Sequence, residues 1–206
     1  MRDSLIIVGC FVLGVIVAVA GLIPESFNPS DYTTYMLYLL LFCIGLGLGM
    51  DKDFFASMKT GQLRHLLLPV ATIIGTFFGC ALAFVVLLIV SPGSISLLDT
   101  VAAGSGFGYY SLSSIMIQDA RGPELATIAL AANLLREILT LLCAPLISKA
   151  FGPHAVVAAG GATSMDTTMG VAVKAGGSSI APVALYHGFV LTVAVPFIVT
   201  LILGLY

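Results

Sequence analysis

The stretch 131-AANLLREILTLLCAPL-146 places Asn133, Arg136 and Glu137 in the middle of roughly twenty otherwise apolar residues. Such a run is long enough to cross a bilayer as a helix. Each charge at the centre of a span costs about 2.5–3.5 kcal/mol on insertion scales. A chain carries that cost where the charges are partnered or put to use, so this stretch decides the solvent of the fold and points to its function.

Composition agrees. Hydrophobic residues make up 59% of the chain, charged residues 9%, and the mean hydropathy is +1.13, where a soluble domain has about 25% charged residues. The reading is an all-α, polytopic integral membrane protein whose 206 residues form a single transmembrane domain. The net charge of −2 offers no footing for nucleic acid. Cys10, Cys43, Cys80 and Cys143 lie inside apolar runs with neither paired nor metal-like spacing, and read as packing residues. No metal or cofactor is expected, a proton aside.

Polar and Pro/Gly punctuation predicts about seven membrane segments, near 4–23, 34–50, 66–90, 100–118, 125–148, 156–175 and 182–205. The first is long enough to span, and is read as a helix rather than a cleaved leader. The link 24-PESFNPSDY-32 has no Lys or Arg, whereas the link 51–65 carries Lys52, Lys59 and Arg64. The positive-inside rule then makes the N-terminus cytoplasmic. If every segment crosses once, the C-terminus is external, Arg121 is inside, and Lys149 runs against the charge bias.

Segments four and six differ in kind. They read 101-VAAGSGFGYYSLSSIMI-117 and 156-VVAAGGATSMDTTMGVAVKAGG-177, rich in Gly, Ser and Thr. Glycine inside a helix costs about 1 kcal/mol relative to alanine, so both are expected to be broken. Broken backbone at that depth must be buried in protein or line a cavity. Val101-Ala-Ala-Gly104 recurs as Val157-Ala-Ala-Gly160, a short repeat. With one span between them, two crossing copies would run parallel.

Asn133 and Glu137 share a helical face with Arg136 beside it, and Asp166 lies midway through segment six. Two acids and one base leave a spare carboxylate. Either Arg136 pairs with Glu137 or Asp166 to lock two segments, or a carboxylate alternates between a proton and a cation, as a proton-coupled transporter requires. The second reading is favoured. Ser105, Tyr109, Tyr110, Ser111, Ser164 and Thr167 either satisfy nearby backbone or line a substrate path, with exposed amides holding a carboxylate. His187, in 185-LYHGFVL-191, is read as a structural hydrogen-bonded or interfacial residue, with proton relay as the alternative. An intramembrane serine protease built on Ser105 and His187 leaves the charges unexplained, so no enzyme is expected.

At these residues a family becomes recognisable. 38-YLLLFCIGLGLG-49, 104-GSGFGYYSLSSI-115, 132-ANLLREI-138, 162-ATSMDTT-168 and 186-YHGFVL-191 occur in an order that resembles the lysine exporter LysO family. The resemblance implies export of L-lysine, with toxic lysine analogues, across the bacterial inner membrane by proton antiport. The family's intramembrane acids fall on Glu137 and Asp166. Typical members begin with about three further transmembrane segments, each of the roughly twenty residues a span needs. The resemblance therefore implies a separately encoded small membrane subunit as partner, with a homodimer of such units as a further expectation. The runner-up is a proton-coupled antiporter for another cation or amino acid, followed by a non-transporting structural subunit.

Overall fold

In a computed structural model of the chain, residues 63–93 and 95–206 are described, together with scattered helical positions between 13 and 50. The spans expected near 4–23 and 34–50, the link 24–32 and most of the link 51–65 lie outside the described residues, those scattered positions aside. The chain divides into two compact units, Met1–Leu46 and Gly47–Tyr206. Everything below belongs to the second.

All regular structure among the described residues is helical. Three helices, α1 (Leu63–Val90), α4 (Pro123–Phe151) and α7 (Ala181–Leu203), carry stretches long and apolar enough to cross a membrane. Their outward faces present Phe78, Leu142 and Phe197, large apolar side chains left exposed. Such a surface suits lipid rather than water. The chain is a polytopic helical membrane protein.

Both Gly-rich segments are broken. The first gives α2 (Leu97–Gly104) and α3 (Tyr110–Arg121); the second gives α5 (Pro153–Gly160), a 3-10 turn over Gly161–Met165, and α6 (Met169–Gly176). Gly-Pro pairs set the turns on either side of α4. Gly122 and Gly152 take positive φ, and Pro123 and Pro153 then open the next helix, where a missing N–H costs nothing.

Neither broken segment crosses. Arg121, at the end of α3, donates from Nη2 to Asp99 Oδ1 at 3.1 Å, near the start of α2. Were this segment a crossing, those residues would lie roughly 30 Å apart. Tyr206 closes the same corner. Its hydroxyl donates to Asp99 Oδ1 at 2.7 Å, and its ring lies under the Arg121 guanidinium at 3.9 Å. Likewise, a Cβ on Gly176 at the end of α6 would come within 2.6 Å of Pro153 Cβ at the start of α5. Both segments are re-entrant hairpins.

This corrects the expected relation between the repeats. One hairpin closes at the membrane face where α4 begins, the other at the face where α4 ends. Hairpin-then-span (α2–α3–α4, then α5–α6–α7) is therefore an inverted repeat, not a parallel one. The parallel expectation assumed that each segment crosses, and nothing in glycine content distinguishes a crossing from a return.

The second hairpin's base is held by Ala144, Val156, Val157, Ala172, Ile180 and Ala184, with Leu68 of α1 packed against them. Lys149 and Lys174 line one cavity beside it, so the two lysines share a face. Arg121, paired with Asp99, lies at the opposite one.

Candidate functional site

The two hairpin tips touch at the level of Asn133 and Arg136. Ala162 N donates to Phe107 O at 2.8 Å, directly joining one break to the other. The approach needs glycine. A Cβ on Gly161 (φ +66) would overlap the Phe107 carbonyl and lie 3.3 Å from Arg136 Cζ; one on Gly108 (φ +95) would lie 3.0 Å from Gly160 O. Phe107 itself is fully buried at φ 46, a left-handed conformation that costs a non-glycine residue of order 1 kcal/mol. The tip contact holds it there.

Breaking a helix leaves its last carbonyls without partners, and each needs one at this depth. Asn133, 2% exposed, satisfies the first break. Its Nδ2 donates to Ala103 O at 2.8 Å, and its Oδ1 accepts from Gly108 N at 2.8 Å. Arg136 satisfies the second. Nε donates to Ala159 O at 2.8 Å, Nη2 to Ala158 O at 2.9 Å, and Nη1 to Thr76 Oγ1 at 3.2 Å. The guanidinium thus sits at the C-terminus of α5, where the helix dipole favours a cation. Among the described residues Arg136 pairs with neither Glu137 nor Asp166; the ion pair there is Arg121–Asp99. Spacing along α4 did not reveal this, because Arg136's partners lie more than twenty residues away.

His187 is fully buried in α7. Its Nε2 lies 2.9 Å from Thr72 Oγ1, and its Nδ1 lies 3.0 Å from Ser164 Oγ. Ser164 gives its single hydroxyl proton to Ala184 O at 3.0 Å, so it accepts from Nδ1–H, leaving Nε2 to accept from Thr72. Both ring nitrogens are occupied within the protein. Ser105 is fully buried as well, and bonds its own helix through Ala102 O at 2.7 Å.

Five other expected residues retain unused polar groups. Asp166 is exposed, beside Thr167, whose N and Oγ1 donate to Oδ1 at 2.5 and 3.3 Å. Oδ2 has no hydrogen bond among the described residues. Tyr109 lies within electrostatic reach of Asp166, and its buried hydroxyl has no hydrogen-bond partner among the described residues. Tyr110 is half-buried and Ser111 exposed at the start of α3, a helix whose N-terminus no side chain caps. Glu137, 8% exposed, makes no hydrogen bond or ion pair among the described residues. It sits one turn beyond Asn133 on the buried stripe of α4.

The site is therefore a meeting of two broken helices in inverted orientation. A carboxylate with a free oxygen and an uncapped helix N-terminus lie beside it. That defines the class: a polytopic membrane protein built on inverted re-entrant hairpins, whose irregular backbone is buried at membrane depth. Over residues 8–203 the sequence matches the family model described as lysine exporter LysO, and the chain belongs to that family. It is 31% identical over 202 residues to lysine exporter LysO of Escherichia coli (strain K12), covering 96% of this chain and 63% of that protein. A putative lysine exporter of Haemophilus influenzae is also 31% identical, over 171 residues and 82% of each chain. No solved structure matches the chain. It thus spans less than two thirds of the length of the Escherichia coli relative.

Proposed function

We propose that the chain forms the transport core of an exporter that moves L-lysine outward across the bacterial inner membrane in exchange for protons. The observation that carries this reading is the open Oδ2 of Asp166 beside the meeting hairpin tips, next to the uncapped start of α3. Lysine brings two ammonium groups and one carboxylate. Asp166 suits an ammonium, with Thr167 holding the carboxylate's orientation. The first amides of α3, near Tyr110 and Ser111, suit the substrate carboxylate, since a helix N-terminus favours anions. Arg136 is less suited to that task, because three of its donors are already engaged.

Glu137, buried and without a hydrogen-bond or ion-pair partner among the described residues, is the carboxyl we assign to the proton. In the proposed cycle lysine enters from the cytoplasm and places an ammonium on Asp166 as Glu137 gives up its proton. The site then opens outward, lysine leaves, and a proton returns. Lys149 and Lys174 on one face favour that face as cytoplasmic, which sets the base of the first hairpin and the chain's last helix end outside. Export of lysine analogues follows if the site reads only the ammonium and carboxylate groups.

The test is uptake of labelled L-lysine into everted vesicles energised inside-acid, comparing wild type with Asp166→Asn at matched protein level. Protonophore-sensitive uptake that the variant loses supports the reading. Uptake driven equally well without a proton gradient removes the antiport. Proton-coupled uptake of a carboxyl-free diamine as good as that of lysine favours the cation antiporter instead.

A further inference from the structure

The cavity at the base of the second hairpin has no role in the transport scheme. It has a volume of about 400 Å³ and lies between the end of α4 and α6. Its walls are Leu141, Leu142, Ala144, Pro145, Val171 and Ala175, and its polar lining is Ser148, Lys149 and Lys174. Both lysines lie in the last turns of their helices. No acidic residue lines the cavity, and neither lysine forms an ion pair among the described residues.

A simpler account is that each lysine only complements a helix C-terminus. That explains each one singly. It does not explain why two cations from different helices border one apolar groove. From Leu141 to Lys149 the groove follows α4 for about 12 Å along the helix axis, running from the membrane surface toward its interior. Apolar walls below and uncompensated positive charge above match an amphiphile with an anionic head.

We propose that this groove is a binding site for an anionic phospholipid, with an acyl chain along Leu141, Pro145 and Val171 and the phosphate between Lys149 and Lys174. Basic pockets between membrane helices hold such headgroups by charge, at a strength that grows with each lysine. A lipid there braces α6 against α4, and so bears on the hairpin that carries Asp166. The site does not depend on what the protein transports, and its test involves no transport.

The experiment measures lipid bound to the full-length protein in neutral detergent by native mass spectrometry, with phosphatidylglycerol and phosphatidylcholine of matched chains in competition. Wild type is expected to prefer phosphatidylglycerol by about thirty-fold, the contribution of two surface lysines. The preference should collapse toward unity in Lys149→Gln/Lys174→Gln and return in Lys149→Arg/Lys174→Arg. The arginine pair also shows that the positions tolerate change without unfolding. Equal binding of the two lipids by wild type overturns the proposal, as does a preference that survives in the glutamine pair. Full displacement of phosphatidylglycerol by millimolar inorganic phosphate overturns it too, since the groove would then be a site for free anions.

Discussion

Asn133 and Arg136 stand one turn apart on α4 and serve equivalent positions of the two halves. Asn133 Nδ2 bonds Ala103 O, and Arg136 Nε bonds Ala159 O. Ala103 and Ala159 occupy the same place in Val101-Ala-Ala-Gly104 and Val157-Ala-Ala-Gly160, and the offset is 159 − 103 = 56 residues. A four-residue likeness, weak as sequence, thus gains a structural meaning: the same helix end is severed twice and mended twice from one turn of one span. The mending groups differ because the sites do. A neutral amide bridges Ala103 O and Gly108 N, while the paired carbonyls of Ala158 and Ala159 take a charged, planar donor.

Removal of the Asn133 amide should therefore be costly. Asn133→Ala leaves Ala103 O and Gly108 N without their side-chain partner at membrane depth, where each orphaned buried group costs about 1–3 kcal/mol. Asn133→Ala should lower the thermal midpoint of the detergent-solubilised protein by more than an exposed change such as Leu142→Ala. Equal midpoints for the two would deny Asn133 this role.

Arg136→Lys makes the sharper comparison. Lysine keeps the charge and so serves the α5 dipole, but its ammonium cannot reproduce the planar fork that reaches Ala158 O, Ala159 O and Thr76 together. Both stability and transport should fall, though less than in Arg136→Ala. If Arg136 instead held only the substrate carboxylate, Arg136→Lys would leave the thermal midpoint of the unliganded protein unchanged while raising KM.

How much of this was readable beforehand divides along a physical line. Breaks at 104–108 and 160–168 were legible, because glycine clusters and clustered hydroxyls make poor continuous helices. Glu137 and Asp166 stood out by cost alone. The return of each segment was not legible. It depends on Arg121 meeting Asp99 and on Gly176 meeting Pro153, contacts that hydropathy does not encode. The sequence offers Arg136 either Glu137 or Asp166 as a partner, yet neighbours on a helix project about 100° apart, and the carbonyls that Arg136 does reach carry no charge to mark them in a sequence.

Glycine at the tips is the next point to probe. Gly161→Ala sets a Cβ against Phe107 O at a φ of +66, so the strain of a left-handed residue adds to a backbone clash. Transport should be lost and the midpoint lowered. Gly170→Ala, where nothing lies within 4 Å of the new Cβ, is the matched control and should be neutral or slightly stabilising. Comparable transport by the two variants would mean that the tips do not meet in the working protein.

His187 should prove structural. With Nδ1 on Ser164 and Nε2 on Thr72, its removal in His187→Ala orphans the buried Thr72 hydroxyl and takes from Ser164, which still donates to Ala184 O, the donor it accepts from, a loss of about 1–3 kcal/mol. His187→Gln, which keeps donor and acceptor capacity, should recover part of that stability. The pH profile of lysine uptake by His187→Gln should match wild type. A displaced profile in a well-folded His187→Gln would make the imidazole a proton carrier.

The Asp99 corner predicts a pH dependence at the membrane surface. Burial pushes the Asp99 carboxyl up, but hydrogen bonds from Ser96, Tyr206 and Arg121 outweigh it and hold the group below the ordinary carboxylate range. A lowered acid stabilises the fold above its unfolded pKa, and loses that contribution as the pH falls through the lowered value. Tyr206 is raised to about 12 by burial and by its bond to Asp99, so its share persists at neutral pH and fades only as alkali approaches that value. Protection of the amides near Ser96, taken relative to intrinsic exchange at each pH, should therefore fall below about pH 4 in wild type. Asp99→Asn should exchange faster at neutral pH and show no further acid step.

Re-entry itself makes the most decisive prediction. In a cysteine-free background, single cysteines replace Lys149, Lys174 and Arg121, and a membrane-impermeant maleimide is applied to either side of oriented vesicles. Two re-entrant hairpins require Lys149→Cys and Lys174→Cys to react from one side, because both positions line one cavity, and Arg121→Cys to react from the other. Were segments four and six full crossings, each would reverse its ends. Lys149→Cys and Lys174→Cys would then label from opposite sides, and Arg121→Cys would share its side with Lys174→Cys. The arrangements differ in a pattern of labelling rather than in its extent, so partial reactivity at any one position does not blur the outcome.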